Sequence, residues 1–195
     1  AKAYACDVSS EEDVNRTVEA VLADFGQIDI LVNNSGASWG EYVEKMPIEA
    51  WQKVMGVNVT GTFLMSKAVG QQMIQNGYGK IINIGSIAGI RAESAKVLNA
   101  IGYSTSKAAV HHFTRDLAKK WAEHGITVNA IAPGFFETKM TKHIVSKNRD
   151  ILLKHNPMGK IADVDSLKGT ALFLASRASD FVTGQIIAVD GGSAL

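Results

Sequence analysis

Tyr103 and Lys107 stand four residues apart in the run Gly102-Tyr-Ser-Thr-Ser-Lys107-Ala-Ala. On a helix this spacing sets a phenol and an ammonium on one face, about one turn apart. A free phenol titrates near pH 10, too high for easy proton exchange at neutral pH, and a neighbouring cation favours its phenolate. The pair therefore suits a general acid/base that trades a proton with a substrate oxygen. Ser86 ends an apolar run, Lys80-Ile-Ile-Asn-Ile-Gly85, that reads as a buried strand. Its hydroxyl is expected at a strand's carboxyl end, where open α/β sheets bind ligands, and from there it can donate to an oxygen gaining negative charge. The Tyr-x-x-x-Lys spacing alone is weak, since four tyrosines in this composition give about 0.3 such pairs by chance. Conjunction strengthens it: Asn33-Asn34-Ser35-Gly36 follows a second apolar run and Pro133-Gly134 a third, all at expected strand ends.

The elements that must position these residues read as alternating strands and helices. Residues 2–6 are β-prone, and Ser9-Ser10-Glu11-Glu12 supplies a capping box for a helix to about Phe25, with Val14, Val18, Val21, Leu22 and Phe25 as its sheet-facing stripe. Asp29–Val32 is a short apolar strand, and one long helix is expected from Pro47 to about Gln75, apolar on two sides. The strand at 80–84, a small-residue loop over 86–101 and a helix over 102–124 follow, the last with Val110, Phe113, Leu117 and Trp121 as its stripe. A strand at 127–131, a helical lid candidate over 138–155, an amphipathic helix over 163–175 and a strand at 185–189 complete the pattern. Such alternation predicts parallel strands joined by right-handed crossovers, hence a doubly wound α/β sheet with helices on both faces.

Composition narrows the partners. Twenty basic against nineteen acidic residues give a net charge of +1 with no basic run, which argues against nucleic acid or an anionic membrane and leaves a small-molecule ligand. The single cysteine, Cys6, rules out an internal disulfide and agrees with a reducing, cytoplasmic setting, where it serves as a small hydrophobe. No apolar segment approaches the roughly 18–20 residues that span a bilayer, and no signal-peptide layout opens the chain. His111 and His112 are adjacent and diverge by about 100° on a helix, so they make no joint metal site, and both are expected at a surface or interface. No metal is expected.

With these motifs assembled, the whole chain resembles the short-chain dehydrogenase/reductase family, in its simple single-domain form. The resemblance rests on Asp7-Val8, Asn33-Asn34-Ser35-Gly36, Asn58 within Val57-Asn-Val-Thr-Gly61, Ser86, Tyr103 with Lys107, Pro133-Gly134 with Thr138, and Val189-Asp-Gly-Gly192. It implies a Rossmann-like domain over 1–195 and an oxidoreductase using NADP or NAD that interconverts a carbonyl and a secondary alcohol by hydride transfer. A 3-oxoacyl-thioester reductase is the first substrate reading, with a sugar or polyol dehydrogenase of the gluconate type, or a catalytically idle dinucleotide-binding module, as alternatives. Catalysis is then expected from Ser86, Tyr103, Lys107 and Asn58. Lys107 would also hold nicotinamide ribose hydroxyls, and Asn58 a water in a proton relay, unless it is simply a satisfied buried asparagine. Cofactor contacts are expected from Asp7, Val8, Asn33, Ser35, Gly36, Tyr103, Lys107, Pro133, Gly134 and Thr138. For Asp7 a turn or helix-entry role, and for Pro133-Gly134 a plain strand-ending turn, remain open.

Ser35 stands where the family usually has alanine, and the Ser86 to Tyr103 separation is longer than in many relatives, implying an enlarged substrate-side loop. Ser38, Trp39, Tyr42, Glu93, Val97 and Leu98 are expected to line the pocket. The family's first strand, glycine-rich turn and second strand have no counterpart before residue 2, so the sheet is expected to lack its first two strands. Ile30 and Val32 would then form an unpaired apolar edge, and the chain is expected to be a fragment of a longer protein or to have the missing part supplied otherwise. Helices 47–75 and 102–124 carry more apolar or small surface than one sheet face covers, which predicts a homo-oligomer, dimer or tetramer, through them.

Overall fold

A computed structural model describes residues 1–138 and 141–195, with the backbone alone for 142–144. Its strands are β1 (Ile30–Asn33), β2 (Gly79–Ile84), β3 (Ile126–Pro133) and β4 (Ile186–Val189), all parallel and in that order across one sheet. The helices are α1 (Glu11–Phe25), α2 (Ile48–Met55), α3 (Gly61–Asn76), α4 (Ile101–Trp121), α5 (Lys142–Lys154) and α6 (Lys168–Ala175). Register places Leu31, Ile81 and Val128 side by side. Since alternate strand residues face opposite ways, these three point to one side of the sheet, where they pack with Val14 and Val18 of α1, Leu64, Val69 and Met73 of α3, and Leu117 of α4. Ile82, Ile131 and Ile187 point to the other side and meet Leu174 and Ala171 of α6. Burial on both faces explains why β2 and β3 read as continuous apolar runs rather than alternating ones.

The doubly wound α/β arrangement agrees with the sequence reading, while several local expectations are corrected. The sheet advances in one direction throughout, yet α4 crosses on the Ile81 side and α6 on the Ile82 side. The last crossover therefore has the hand opposite to the first two, and this is what lays a helix on the second face. Residues 2–6 form no strand, since no described strand pairs with them, and β1 is hydrogen-bonded only to β2 among the described strands. The far edge of β1 leaves Ile30 42% and Val32 49% exposed. Phe25 is also exposed, at the last turn of α1 beyond the reach of the sheet. Ser10 caps α1 by accepting from Asp13 N, but the expected capping box does not close, since Ser10 N donates to the Asp7 carbonyl at 3.0 Å and Asp13 Oδ2 accepts from Asp7 N at 3.1 Å instead.

The long helix expected over 47–75 is broken into α2 and α3 by one wide π-turn, Gly56–Thr60. Asn58 sits in that turn and is buried. Single π-turns inside helices free a residue's geometry from the regular ladder and recur at functional positions. Because every strand is parallel, the turns after β1, β2 and β3 open on one edge, bringing residues 33–36, 85–89 and 133–134 together.

Candidate active site

At the end of β2, Ser86 leaves the strand in an extended conformation and its Oγ accepts from Ala88 N at 3.2 Å, starting a short turn over Ile87–Gly89. Gly89 carries no Cβ because one would lie 2.6 Å from the Lys107 carbonyl carbon, so this turn rests directly on α4. α4 in turn presents Tyr103 and Lys107 to the same cleft. The Ser86 side chain faces the Tyr103 phenol closely enough to favour its ionised form, and Lys107 Nζ lies over the Tyr103 ring, 5.6 Å from its centre. Lys107 Nζ also donates to the Ile84 carbonyl at 2.7 Å.

Electrostatics here depart from the sequence reading. Burial pushes the Tyr103 pKa up, and the Ser86 side chain pulls it back only in part. Lys107 does not supply the expected depression: its ammonium faces the ring and the Ile84 carbonyl, and burial lowers its own pKa to about 8. The tyrosine is thus held as the neutral acid, and the lysine as a cation with little to spare at neutral pH.

Asn58 ties the cleft wall together. Its Oδ1 accepts from Ala37 N at 2.7 Å, and its Nδ2 donates to Ala37 O at 2.9 Å and to Ser106 Oγ at 2.8 Å. Ser106 Oγ donates to the Tyr103 carbonyl at 2.7 Å, so Asn58 is linked through one hydroxyl to the backbone of the tyrosine. The side chain is a fully satisfied buried amide, and its own carbonyl accepts from Thr62 Oγ1 at 2.8 Å. Gly36 lies against this group: a Cβ built there would come 3.6 Å from Asn58 Oδ1 and 3.8 Å from Lys107 Nζ.

Two cavities meet at these residues. One, of about 450 Å³, is lined by Ser35, Gly36, Lys107, Pro133, Gly134 and Thr138 with Asn34 and Val164. The other, of about 600 Å³, is lined by Ser38, Tyr42, Glu93, Lys96, Val97, Leu98, Asn99 and Lys147 among others. Ser86, Tyr103, Gly134 and Thr141 belong to both. A smaller hollow beside the first is lined by Val8, Asn33 and Ser35.

The sequence-expected residues are therefore largely brought together, with differences. Asp7 is engaged as a turn residue, its Oδ1 accepting from Ser9 N at 2.9 Å and from Ser9 Oγ at 2.6 Å. The Asn33 amide points inward and donates to Asn83 Oδ1 at 2.8 Å, leaving its backbone at the strand end. Trp39 is half exposed and does not line the 600 Å³ cavity, whereas Ser38, Tyr42, Glu93, Val97 and Leu98 do. Thr138 is joined to Thr141 by hydroxyl and backbone hydrogen bonds. Of the lid segment, Lys139 and Met140 lie outside the described residues. His111, expected at a surface, is buried behind Ser86, while His112 is exposed. The overlooked signal is the spacing itself, because His111 continues the Tyr103, Lys107 ladder by another four residues. Among the described residues no cluster of metal-ligating side chains occurs, and no helix is long and apolar enough to cross a membrane.

Comparison with known proteins fixes the family. A family model described as enoyl-(acyl carrier protein) reductase matches residues 1–194. The chain belongs to the short-chain dehydrogenase/reductase family. It is 43% identical over 192 residues to a 2-dehydro-3-deoxy-D-gluconate 5-dehydrogenase of Bacillus subtilis, covering 97% of this chain and 73% of that protein. It is 36% identical over 191 residues to a 3-oxoacyl-[acyl-carrier-protein] reductase of Vibrio cholerae, covering 98% of this chain and 77% of that protein. A gluconate 5-dehydrogenase from Burkholderia cenocepacia, solved with NADP and tartrate, superposes with a TM-score of 0.91 at 39% identity, covering 96% of this chain and 72% of that one. Such similarity over nearly the whole chain makes this short-chain dehydrogenase/reductase an NAD(P)-dependent oxidoreductase that interconverts a carbonyl and an alcohol.

Proposed function

We propose that this dehydrogenase acts on the secondary alcohol or ketone of a small sugar acid, with Tyr103 as general acid/base, Ser86 as the donor that holds the reacting oxygen, and Lys107 and Asn58 as their support. The observation that carries this reading is the meeting of the two cavities at Ser86 and Tyr103. The cavity at the strand ends suits the nicotinamide half of a dinucleotide, since Gly36 leaves room beside Lys107 Nζ and Asn58. Lys107, Gly36, Pro133, Gly134 and Thr138 would hold that half, with Val8, Asn33 and Ser35 toward the adenosine side and Asp7 acting through its turn. The bound dinucleotide supplies or accepts the hydride. Tyr103, held neutral by burial, gives its proton to the carbonyl oxygen during reduction and takes it back during oxidation. Ser86 donates to the same oxygen and keeps it beside the phenol. Asn58 fixes the Ala37 and Tyr103 backbones relative to one another.

The substrate wall favours a polar acid. Lys96 and Lys147 line the larger cavity with Ser38, Glu93 and Asn99, a set able to meet a carboxylate and several hydroxyls. A 3-oxoacyl thioester is the second reading, supported by Ile87, Val97, Leu98 and Phe135 on the same wall. Self-association through α2, α3 and α4 is part of the proposal, supported by the exposed Ile48, Phe63 and Ile101, as is residence in the cytoplasm, in line with the lone free Cys6. The test is turnover of gluconate-type acids against a 3-oxoacyl thioester, each with NADP(H) and NAD(H). A larger kcat/KM for the sugar acids is expected, and a preference for the thioester would overturn the substrate assignment.

A further inference from the structure

The buried imidazole of His111 has no part in the chemistry so far described, yet it touches the main chain that carries Ser86. Ser86 N donates to His111 Nε2 at 3.3 Å, and both residues are buried. The approach depends on Gly85, where a Cβ would lie 2.1 Å from the same nitrogen. With Nε2 accepting, the proton of the neutral ring sits on Nδ1. The Gly89 backbone on the other side of the ring favours its protonated form. The His111 side chain therefore holds the Ser86 end of the turn 86–89 while Gly89 rests on the α4 backbone at Lys107, and the turn's interior is closed by Ala88 N to Ser86 Oγ at 3.2 Å and Gly89 N to Ser86 O at 3.0 Å.

We propose that His111 is a positioning residue for Ser86, clamping the 86–89 turn to α4 so that the serine hydroxyl stays registered with Tyr103, eight residues earlier on the same face of that helix. The inference rests on the reading of Ser86 as the group that holds the reacting oxygen. Tyr103, Lys107 and His111 form one stripe of α4, so the clamp and the acid/base share a rigid body, and a shift in one is a shift in both. The clamp requires the neutral ring. Burial is the main force keeping it so, and the cations of Arg115 and Lys107 nearby act in the same direction, while the Gly89 contact opposes them; the outcome is a pKa lowered to about 4.

The experiment compares H111F, which keeps a ring but no acceptor, with H111Q, which keeps an acceptor, in wild-type and S86A backgrounds. H111F is expected to lower kcat about 10- to 100-fold, the cost of an ångström-scale misplacement, with KM for the dinucleotide unchanged. H111Q is expected to recover most of that loss, and H111F added to S86A to cost less than about twofold, because the two act through one hydroxyl. Hydrogen exchange of the Ser86 amide supplies a readout independent of turnover: protection should fall in H111F and persist in H111Q. An equal factor in both backgrounds, or Ser86 protection unchanged in H111F, overturns the clamp. If H111F does not fold, Ser86 protection and kcat both kept in H111Q support it, and protection lost there with kcat unchanged overturns it. S86A with undiminished kcat would instead sink the assigned role of Ser86, leaving the amide exchange to judge the clamp by itself.

Discussion

Where β2 meets α4, buried polar side chains are paired with one another or with the main chain: Asn58 with the Ala37 backbone and Ser106, Asn83 with Asn33 and Thr114, and His111 with the Ser86 amide. Across the cleft, the wall formed by residues 91–99 and α5 is built more loosely. Glu41 N to Asn99 O at 2.9 Å is a backbone tie between its loops, Arg91 meets Glu93 at 2.7 Å while Arg91 Nε keeps no partner, and α5 leaves helical geometry at Asn148. Donors that must meet a reacting oxygen gain from fixed geometry, because no reorganisation is then needed at the moment of proton transfer. Side chains that only choose among substrates can sit on loops that vary and adapt. One cleft thus has a rigid chemical floor and a tolerant selective rim.

Breaking the floor at its centre should have the largest effect. Y103F removes the proton donor and is expected to lower kcat by about 10²- to 10⁴-fold, with dinucleotide binding retained in a fluorescence titration. Asn58→Leu should act through structure: it leaves Ala37 N–H and Ala37 C=O without their partner, at about 1–3 kcal/mol for each group orphaned, removes one of the two hydrogen bonds of Ser106 Oγ, and thermal unfolding should register it clearly. Val97→Ala on the rim should cost well under that, which is the comparison at its plainest.

Lys107 offers a subtler probe. Its pKa in the folded chain, about 8, lies below the ordinary 10.5, so the unfolded chain holds the proton over a range where the native one has released it. Stability should then rise as pH climbs from about 8 to 10.5 and fall away as pH drops through about 8. Lys107→Met should flatten that slope in urea unfolding across the same window. At the rim the smallest effect is expected. K147A should raise KM for an acidic substrate about fivefold, worth about 1 kcal/mol, at unchanged kcat.

What the sequence made legible follows the same division. The strand-end turns at 33–36, 85–86 and 133–134 and the Tyr103, Lys107 stripe depend on local period and on apolar runs, so they could be read directly. The Tyr103 pKa could not, because its direction depends on how deeply the phenol is buried and on whether Lys107 points at its oxygen or its ring. The π-turn at Asn58 was hidden because Trp51, Val54, Val59 and Phe63 fit one long amphipathic helix nearly as well as two phases of one. His111 was hidden by its neighbour, since two adjacent histidines look alike in sequence while α4 turns one inward and the other to solvent.

The wide turn at Gly56–Thr60 also makes the 48–76 rod a phase shifter. α2 packs against α4, whereas α3 packs against α1 and the sheet. A residue more or less in a regular helix rotates everything beyond it by about 100°. The extra residue held in the π-turn sets the offset between those two docking faces and aims Asn58 at Ala37 within it. Identity along this rod can drift where a side chain meets solvent, but its length between Met55 and Gly61 is a fixed count.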